Sequence, residues 1–204
     1  SVCFGTSVTL QAGGANNYTW NSTQTGTTSG ATLTFTPNGN ITVNLSGTLT
    51  GCTTPGTTSI NLTVKPKPTV GVTSPSICNG QTATMQANGA STYSWSAGLG
   101  SGNPKTTPAL TTTTTYIVTG TDANNCTNTA VSTVTVKLLP PTPTITQRND
   151  SLFCSTIGGA SYNWYRNNVF LVTTNVPNLK ITQSGTYSVE VVGTNSCTSV
   201  RSAN

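Results

Sequence analysis

The chain has no histidine and only three acids, Asp122, Asp150 and Glu190, in 204 residues. General acid–base chemistry needs a titratable group beside its substrate, often a pair. These acids stand in three unrelated contexts, so no catalytic site is expected. Zinc would need clustered cysteines or histidines, and a calcium loop needs several carboxylates close together. Neither pattern occurs, and no metal or cofactor is expected. Charged residues make up 5% of the chain, against about 25% in an ordinary globular protein. The net charge of +5 comes from dispersed bases, whereas nucleic-acid binding calls for clustered bases with interleaved aromatics. No nucleic-acid partner is expected. No apolar run is long enough to cross a bilayer as a helix, and no segment has a convincing helical period. Membrane insertion is not expected either.

Threonine, serine, asparagine and glycine fill the gap left by charge. A disordered chain would be charged and poor in β-branched residues; this one is rich in threonine and valine, which suits strands with one polar face. Three tryptophans, Trp20, Trp95 and Trp164, each follow a similar phrase: Ala15-Asn-Asn-Tyr18-Thr-Trp20, Ala90-Ser-Thr-Tyr93-Ser-Trp95 and Ala160-Ser-Tyr162-Asn-Trp164. They are 75 and 69 residues apart, and each is followed by a cysteine 32, 31 or 33 residues on. Such a period marks internal repeats. Apolar residues alternate at Val8, Leu10 and Ala12, at Ala83, Met85 and Ala87, at Ile41, Val43 and Leu45, and at Tyr187, Val189 and Val191. Period two predicts strands with one buried face. Asn38-Gly39, Asn79-Gly80, Asp122 to Asn125, Gly158-Gly159 and Gly193 to Asn195 supply turns.

Proline-rich joints, Lys65-Pro66-Lys67-Pro68 and Pro140-Pro141-Thr-Pro143, read as stiff extended spacers. The expected fold is all-β, an extended tandem array of three immunoglobulin-like sandwiches over 1–69, 70–142 and 143–204. Each has a tryptophan on its third strand, between the sheets. The second repeat has a strand near Thr69 to Thr73 and a closing strand, Thr127 to Val136. The first lacks the former and the third stops short of the latter. Modules 1 and 3 therefore read as truncated, the chain as a window on a longer array, and its start at Ser1 as processed or cut.

Six cysteines in such a β-protein suggest disulfides. A module of this size buries only about 60% of its chain surface and is marginal alone. Pairing within repeats, Cys3–Cys52, Cys78–Cys126 and Cys154–Cys197, is the default. Against it, Cys3 and Cys78 lie twelve residues before the alanine of the repeat phrase, but Cys154 lies only six before it. A strand entrance and the last hairpin also lie at opposite ends of such a sandwich. Bonds between neighbours, Cys3–Cys126 and Cys78–Cys197, are the alternative. Catalytic thiols are disfavoured, because no histidine and no Cys-x-x-Cys pair occurs.

The phrases Ile77-Cys78-Asn-Gly80-Gln, Tyr93-Ser-Trp95, and Thr111 to Thr115 leading into Tyr116-Ile-Val118 and Asp122-Ala-Asn-Asn-Cys126 resemble Ig-like or PKD-like repeats of giant Bacteroidota surface proteins. Tyr162-Asn-Trp164-Tyr165 and Ser184-Gly-Thr-Tyr187-Ser-Val189 are similar to related modules. The resemblance implies a stalk or fibre segment of a long cell-surface adhesin, serving attachment or gliding. It also implies export by the type IX system and attachment at the outer membrane. Its partners would be neighbouring repeats of the same polypeptide, a surface glycan, or the outer-membrane motility and secretion machinery. Similar arrays also serve as spacers or carbohydrate-binding accessories in secreted glycoside hydrolases. Thr42 stands where the other repeats have Tyr116 and Tyr187, ten residues before the second cysteine.

Asp150-Ser151-Leu152 resembles the Asp-Ser/Thr-apolar motif for Bacteroidota O-glycans, which would place a glycan on Ser151; it also reads as a plain turn before a strand. Trp20, Trp95 and Trp164 could serve as sugar platforms, but the core reading is favoured. Tyr165 and Phe170 are better candidates for exposure. The run Thr111 to Thr115 fits a polar strand edge better than an ice-binding face.

Overall fold

The computed structural model describes residues 1–203, and every regular element among them is a β-strand. The chain divides into two units: Ser1–Gly71 with Ala87–Trp95 and Val118–Ala130, and Val72–Gln86 with Ser96–Ile117 and Val131–Asn204.

In the first unit, Val8–Gln11 pairs antiparallel with Thr32–Phe35. The facing sheet runs Gly26–Ser29, Asn17–Ser22, Ile41–Thr48, Gly56–Leu62. Alternation in Asn17–Ser22 turns Tyr18, Trp20 and Ser22 inward and leaves Asn17, Thr19 and Asn21 exposed. The turn after Ser22 closes on Gly26 at φ 65°, a left-handed position that glycine adopts without a Cβ clash. Trp20, Leu33 and Val43 form the buried core, flanked by Leu10, Ala12, Phe35, Leu45 and Leu62. The same unit holds Thr92–Trp95, paired antiparallel with Val118–Thr121.

In the second unit, Ser151–Cys154 lies between Ile145–Arg148 and Asn178–Lys180, all antiparallel. The other sheet centres on Ser161–Arg166, between Val169–Thr174 and Tyr187–Val192. Arg166 pairs with Val169 across Asn167 and Asn168, whose φ values of 50° and 65° suit a two-residue hairpin of the type asparagine favours. Leu152, Cys154, Tyr162, Trp164, Val189 and Val191 make the core. Fully burying one such valine contributes about 1.5–3 kcal/mol.

The registers align the repeats. Trp20 faces Leu45, Trp95 faces Val118 and Trp164 faces Val189. Two residues earlier on the facing strand stand Val43, Tyr116 and Tyr187. Val43, 1% exposed, therefore occupies the place of the two tyrosines. Thr42, assigned there by counting back from Cys52, is exposed and donates its hydroxyl hydrogen to Asn61 Oδ1. The count slips because Cys52 falls one residue closer to its strand than Cys126 or Cys197 does.

Candidate functional site: two disulfide joints between repeats

Val2–Cys3 runs parallel to Val64–Lys65, with Cys3 beside Lys65. The Val2 and Phe4 amides donate to the Thr63 and Lys65 carbonyls at 2.9 and 2.8 Å. Cys3 is thereby fixed at the joint end of the last strand. Cys52 lies beyond the other end, in the loop before Gly56. The ten residues from Gly56 to Lys65 span about 30 Å when extended, whereas a disulfide requires Cα atoms about 4.4–6.8 Å apart. Pairing within the first repeat is therefore excluded. Cys3 bonds instead to Cys126, with Cα atoms 5.5 Å apart.

The same construction recurs in the second unit. Ser76–Cys78 runs parallel to Thr135–Lys137, with Cys78 beside Lys137, and Cys78 bonds to Cys197 with Cα atoms 5.6 Å apart. The three bonds within repeats are thus corrected to two bonds between them. Cys52 is an exposed thiol and Cys154 a buried one, so neither joins a disulfide. Cys154 sits on a core strand, 6% exposed and packed with Trp164. Burial pushes its thiol pKa up, and the thiol donates to the Thr156 carbonyl at 3.5 Å. A protonated, enclosed thiol is a poor nucleophile.

Each bonded turn is shaped to present its cysteine. In the first joint, Asp122 Oδ1 accepts from the Asn124 and Cys126 amides at 2.8 and 2.9 Å. The Asp122 amide closes the turn on the Cys126 carbonyl, and Asn125 takes φ 62°. In the second, Asn195 Oδ1 accepts from the Cys197 amide at 3.0 Å, and the Gly193 amide donates to the Cys197 carbonyl. Ser196 takes φ 67°. One of the three acids thus has a structural task. The turns also hold the joint segments: Asn128 Nδ2 donates to Pro68 O, Asn195 Nδ2 to Leu138 O, and Lys137 Nζ to Asn195 O.

Trp20, Trp95 and Trp164 are 4%, 4% and 0% exposed. Trp20 Nε1 donates to Gly30 O, and Trp164 Nε1 to Thr174 Oγ1. Ser151 opens its strand opposite Lys180 and donates to Asp150 Oδ1, while Asp150 forms an exposed ion pair with Lys180 at 3.5 Å. Tyr165 and Phe170 meet edge to face at 5.8 Å. Tyr165 Oη donates to Glu190 Oε2, Glu190 Oε1 accepts from Arg201 Nε, and the Arg201 guanidinium lies over the Tyr165 ring. Burial, and then the Glu190 carboxylate, push the Tyr165 pKa up. Among the described residues no group of histidine, cysteine, aspartate and glutamate could hold a metal. No helix among them is long and apolar enough to cross a membrane.

Two facing sheets, parallel first-to-last strand pairing and tryptophan-centred cores define an all-β, immunoglobulin-like sandwich protein. Residues 67–140 match the family model described as Ig-like domain CHU_C associated. Among solved structures, a 1.5-MDa bacterial ice-binding adhesin is 16% identical, covering 99% of this chain and 91% of that one at a TM-score of 0.36. The calcium-stabilised, ice-binding adhesin of an Antarctic bacterium is 12% identical, covering 96% and 67% at 0.38. Titin domains A168–A170 are 10% identical, covering 91% and 80% at 0.34. No curated protein matches the chain by sequence.

Proposed function

We propose that the chain is a structural segment of an extracellular surface adhesin, built of tandem modules over 1–69, 70–142 and 143–204 and braced at its joints. The carrying observation is that each disulfide links the first strand of one repeat to the last turn of the next. Such bonds serve a chain that is pulled. They span 123 and 119 residues and overlap in sequence. The shortest covalent route from end to end therefore runs from Cys3 to Cys126, back to Cys78, and on to Cys197. Only about 60 residues lie on that route, so full extension of the oxidised chain is about 200 Å, against about 700 Å when reduced. A stalk so braced yields little length when a module unravels. The family match over 67–140 supports the placing of the middle module. The resemblance to Bacteroidota surface repeats supports a cell-surface location, type IX export and a role in attachment or gliding.

Pulling the whole chain from its two ends tests this. The expected total extension rises about threefold when reductant is added. An extension unchanged by reductant would contradict the reading.

A second reading, an accessory glycan-binding module, draws on one place. Phe170 is 56% exposed on a strand whose Val169 and Leu171 are also exposed. Binding to a glycan array that is lost in Phe170→Ala would favour it.

A further inference from the structure

The turn cysteines of the second and third repeats are bonded and that of the first is not, yet the surface around it is built alike. In the second repeat, Ala90, Tyr93 and Gly120 form a socket for the segment entering that repeat. A Cβ on Gly120 would stand 2.7 Å from Val70 Cγ2 and 2.8 Å from Ala90 Cβ. Only glycine lets the entering valine seat there. The Tyr93 hydroxyl oxygen accepts from the Ala90 amide at 2.8 Å, Asn128 holds Pro68, and the Cys3–Cys126 bond locks the turn. Five features thus belong together: alanine, tyrosine, glycine, a turn cysteine, and an extended apolar segment seated among them.

The first repeat carries four of the five. Ala15, Tyr18 and Gly47 take the same places, with Tyr18 facing Gly47 as Tyr93 faces Gly120. The Tyr18 hydroxyl accepts from the Ala15 amide at 2.7 Å. A Cβ on Gly47 would meet first Ala15 and Tyr18. Ala15, Tyr18, Leu45, Gly47 and Leu49 line a solvent-open cavity of ≈ 320 Å³, and Cys52 stands on its wall. A strand glycine often marks a close approach; at Gly47 Ala15 makes one, at 3.0 Å from where a Cβ would stand, and the open cavity beside it leaves room for a second.

We propose that this cavity is a third joint socket, that it takes the extended apolar segment joining another repeat of this kind, and that Cys52 bonds to that repeat's first-strand cysteine. The inference rests on the tandem-array reading. The occupant is defined by what fills the second socket: an extended segment like Lys65 to Val70, from a repeat bearing a cysteine placed like Cys3 or Cys78. Two thiols lose two protons and two electrons to form the bond. A small-molecule disulfide, reduced to two thiols by exchange, takes them up.

The test lengthens the whole chain by a second copy of residues 1–75 ahead of Ser1, so that Pro75 precedes Ser1 as it precedes Ser76. The protein is oxidised in a glutathione redox buffer, alkylated and peptide-mapped without reduction. The expected product joins the added Cys3 to the Cys52 of the original first repeat, which loses its reactivity toward maleimide. In the unextended chain Cys52 stays reactive. Gly47→Leu in the original first repeat, which fills the cavity, should abolish that bond and leave Cys3–Cys126 in place. An alkylated original Cys52 beside intact Cys3–Cys126 and Cys78–Cys197 bonds overturns the inference and spares the array reading. Loss of those two bonds as well overturns both.

Discussion

The first and third repeats carry the same phrase around their tryptophans but hold together differently. The third buries six core residues, among them Cys154, Tyr162 and Trp164. The first buries Trp20, Leu33 and Val43, with its other apolar contacts only half-buried. Tyr162 is 1% exposed, whereas Tyr18 is half-buried beside an open cavity. The third repeat also anchors Tyr187, whose hydroxyl donates to the Gln183 carbonyl at 2.7 Å, the kind of corner that pins this fold's hairpins. Val43 occupies that place in the first repeat and offers no hydroxyl. The lesson is that one sequence pattern supports two degrees of packing. The less packed repeat depends more on its covalent tie.

Removing the ties should break this comparison most strongly. Cys3→Ser with Cys126→Ser should lower stability by about 5 kcal/mol in the loop-entropy model. Cys78→Ser with Cys197→Ser removes a loop of similar size, yet the third repeat should then still unfold cooperatively, whereas the first should not once the Cys3–Cys126 bond is gone. Tryptophan fluorescence during urea unfolding would check both. Next in size, Trp164→Ala should cost about 3–5 kcal/mol, and Trp20→Ala less, since its surroundings are half-open and can relax around the loss. Thermal unfolding of each variant ranks them.

The tyrosine pocket offers a finer contrast. Bulk there sits on one strand or the other: Ala15 against Gly47, Ala90 against Gly120, Gly159 against Val191. A Cβ on Gly159 would lie 2.6 Å from Val191 Cγ1, so the third repeat has the arrangement reversed. Gly120→Ala should cost about 1–3 kcal/mol by overpacking, with partial rescue by Ala90→Gly. Gly47→Ala should cost less, because no entering valine is seated there. The smallest effect is expected at the Asp150–Lys180 pair, where both side chains are largely exposed. Asp150→Ala should change stability by less than about 1 kcal/mol, readable as a nearly unmoved unfolding midpoint.

Much of this was legible in the sequence, for physical reasons. Alternation at Ile41, Val43 and Leu45 prescribes one buried face, and the repeated Tyr-x-Trp phrase marks the strand that carries the indole. What the sequence withholds depends on register. The similar spacing from tryptophan to turn cysteine places Cys126 in the last turn of its repeat, but its partner depends on which end of the last strand the first strand accompanies. That parallel pairing, Cys3 with Lys65 and Cys78 with Lys137, has no local signature. The misplaced Cys154, six residues nearer its repeat phrase than Cys3 is to its own, was the visible sign that it belongs to a core strand. The exchange of bulk between Ala90 and Gly120, and between Gly159 and Val191, joins residues about thirty apart and emerges only from the pairing. The alignment of Thr42 with Tyr116 failed for the same reason: it counted from a turn, and turns vary in length while paired strands do not.

The central claim is that the covalent ties cross from repeat to repeat. Digestion of the unreduced, alkylated chain followed by mass spectrometry tests it most directly. The account predicts one peptide pair containing Cys3 and Cys126, another containing Cys78 and Cys197, and alkyl groups on Cys52 and Cys154. Recovery of Cys3 bonded to Cys52, or of Cys78 bonded to Cys126, would contradict it.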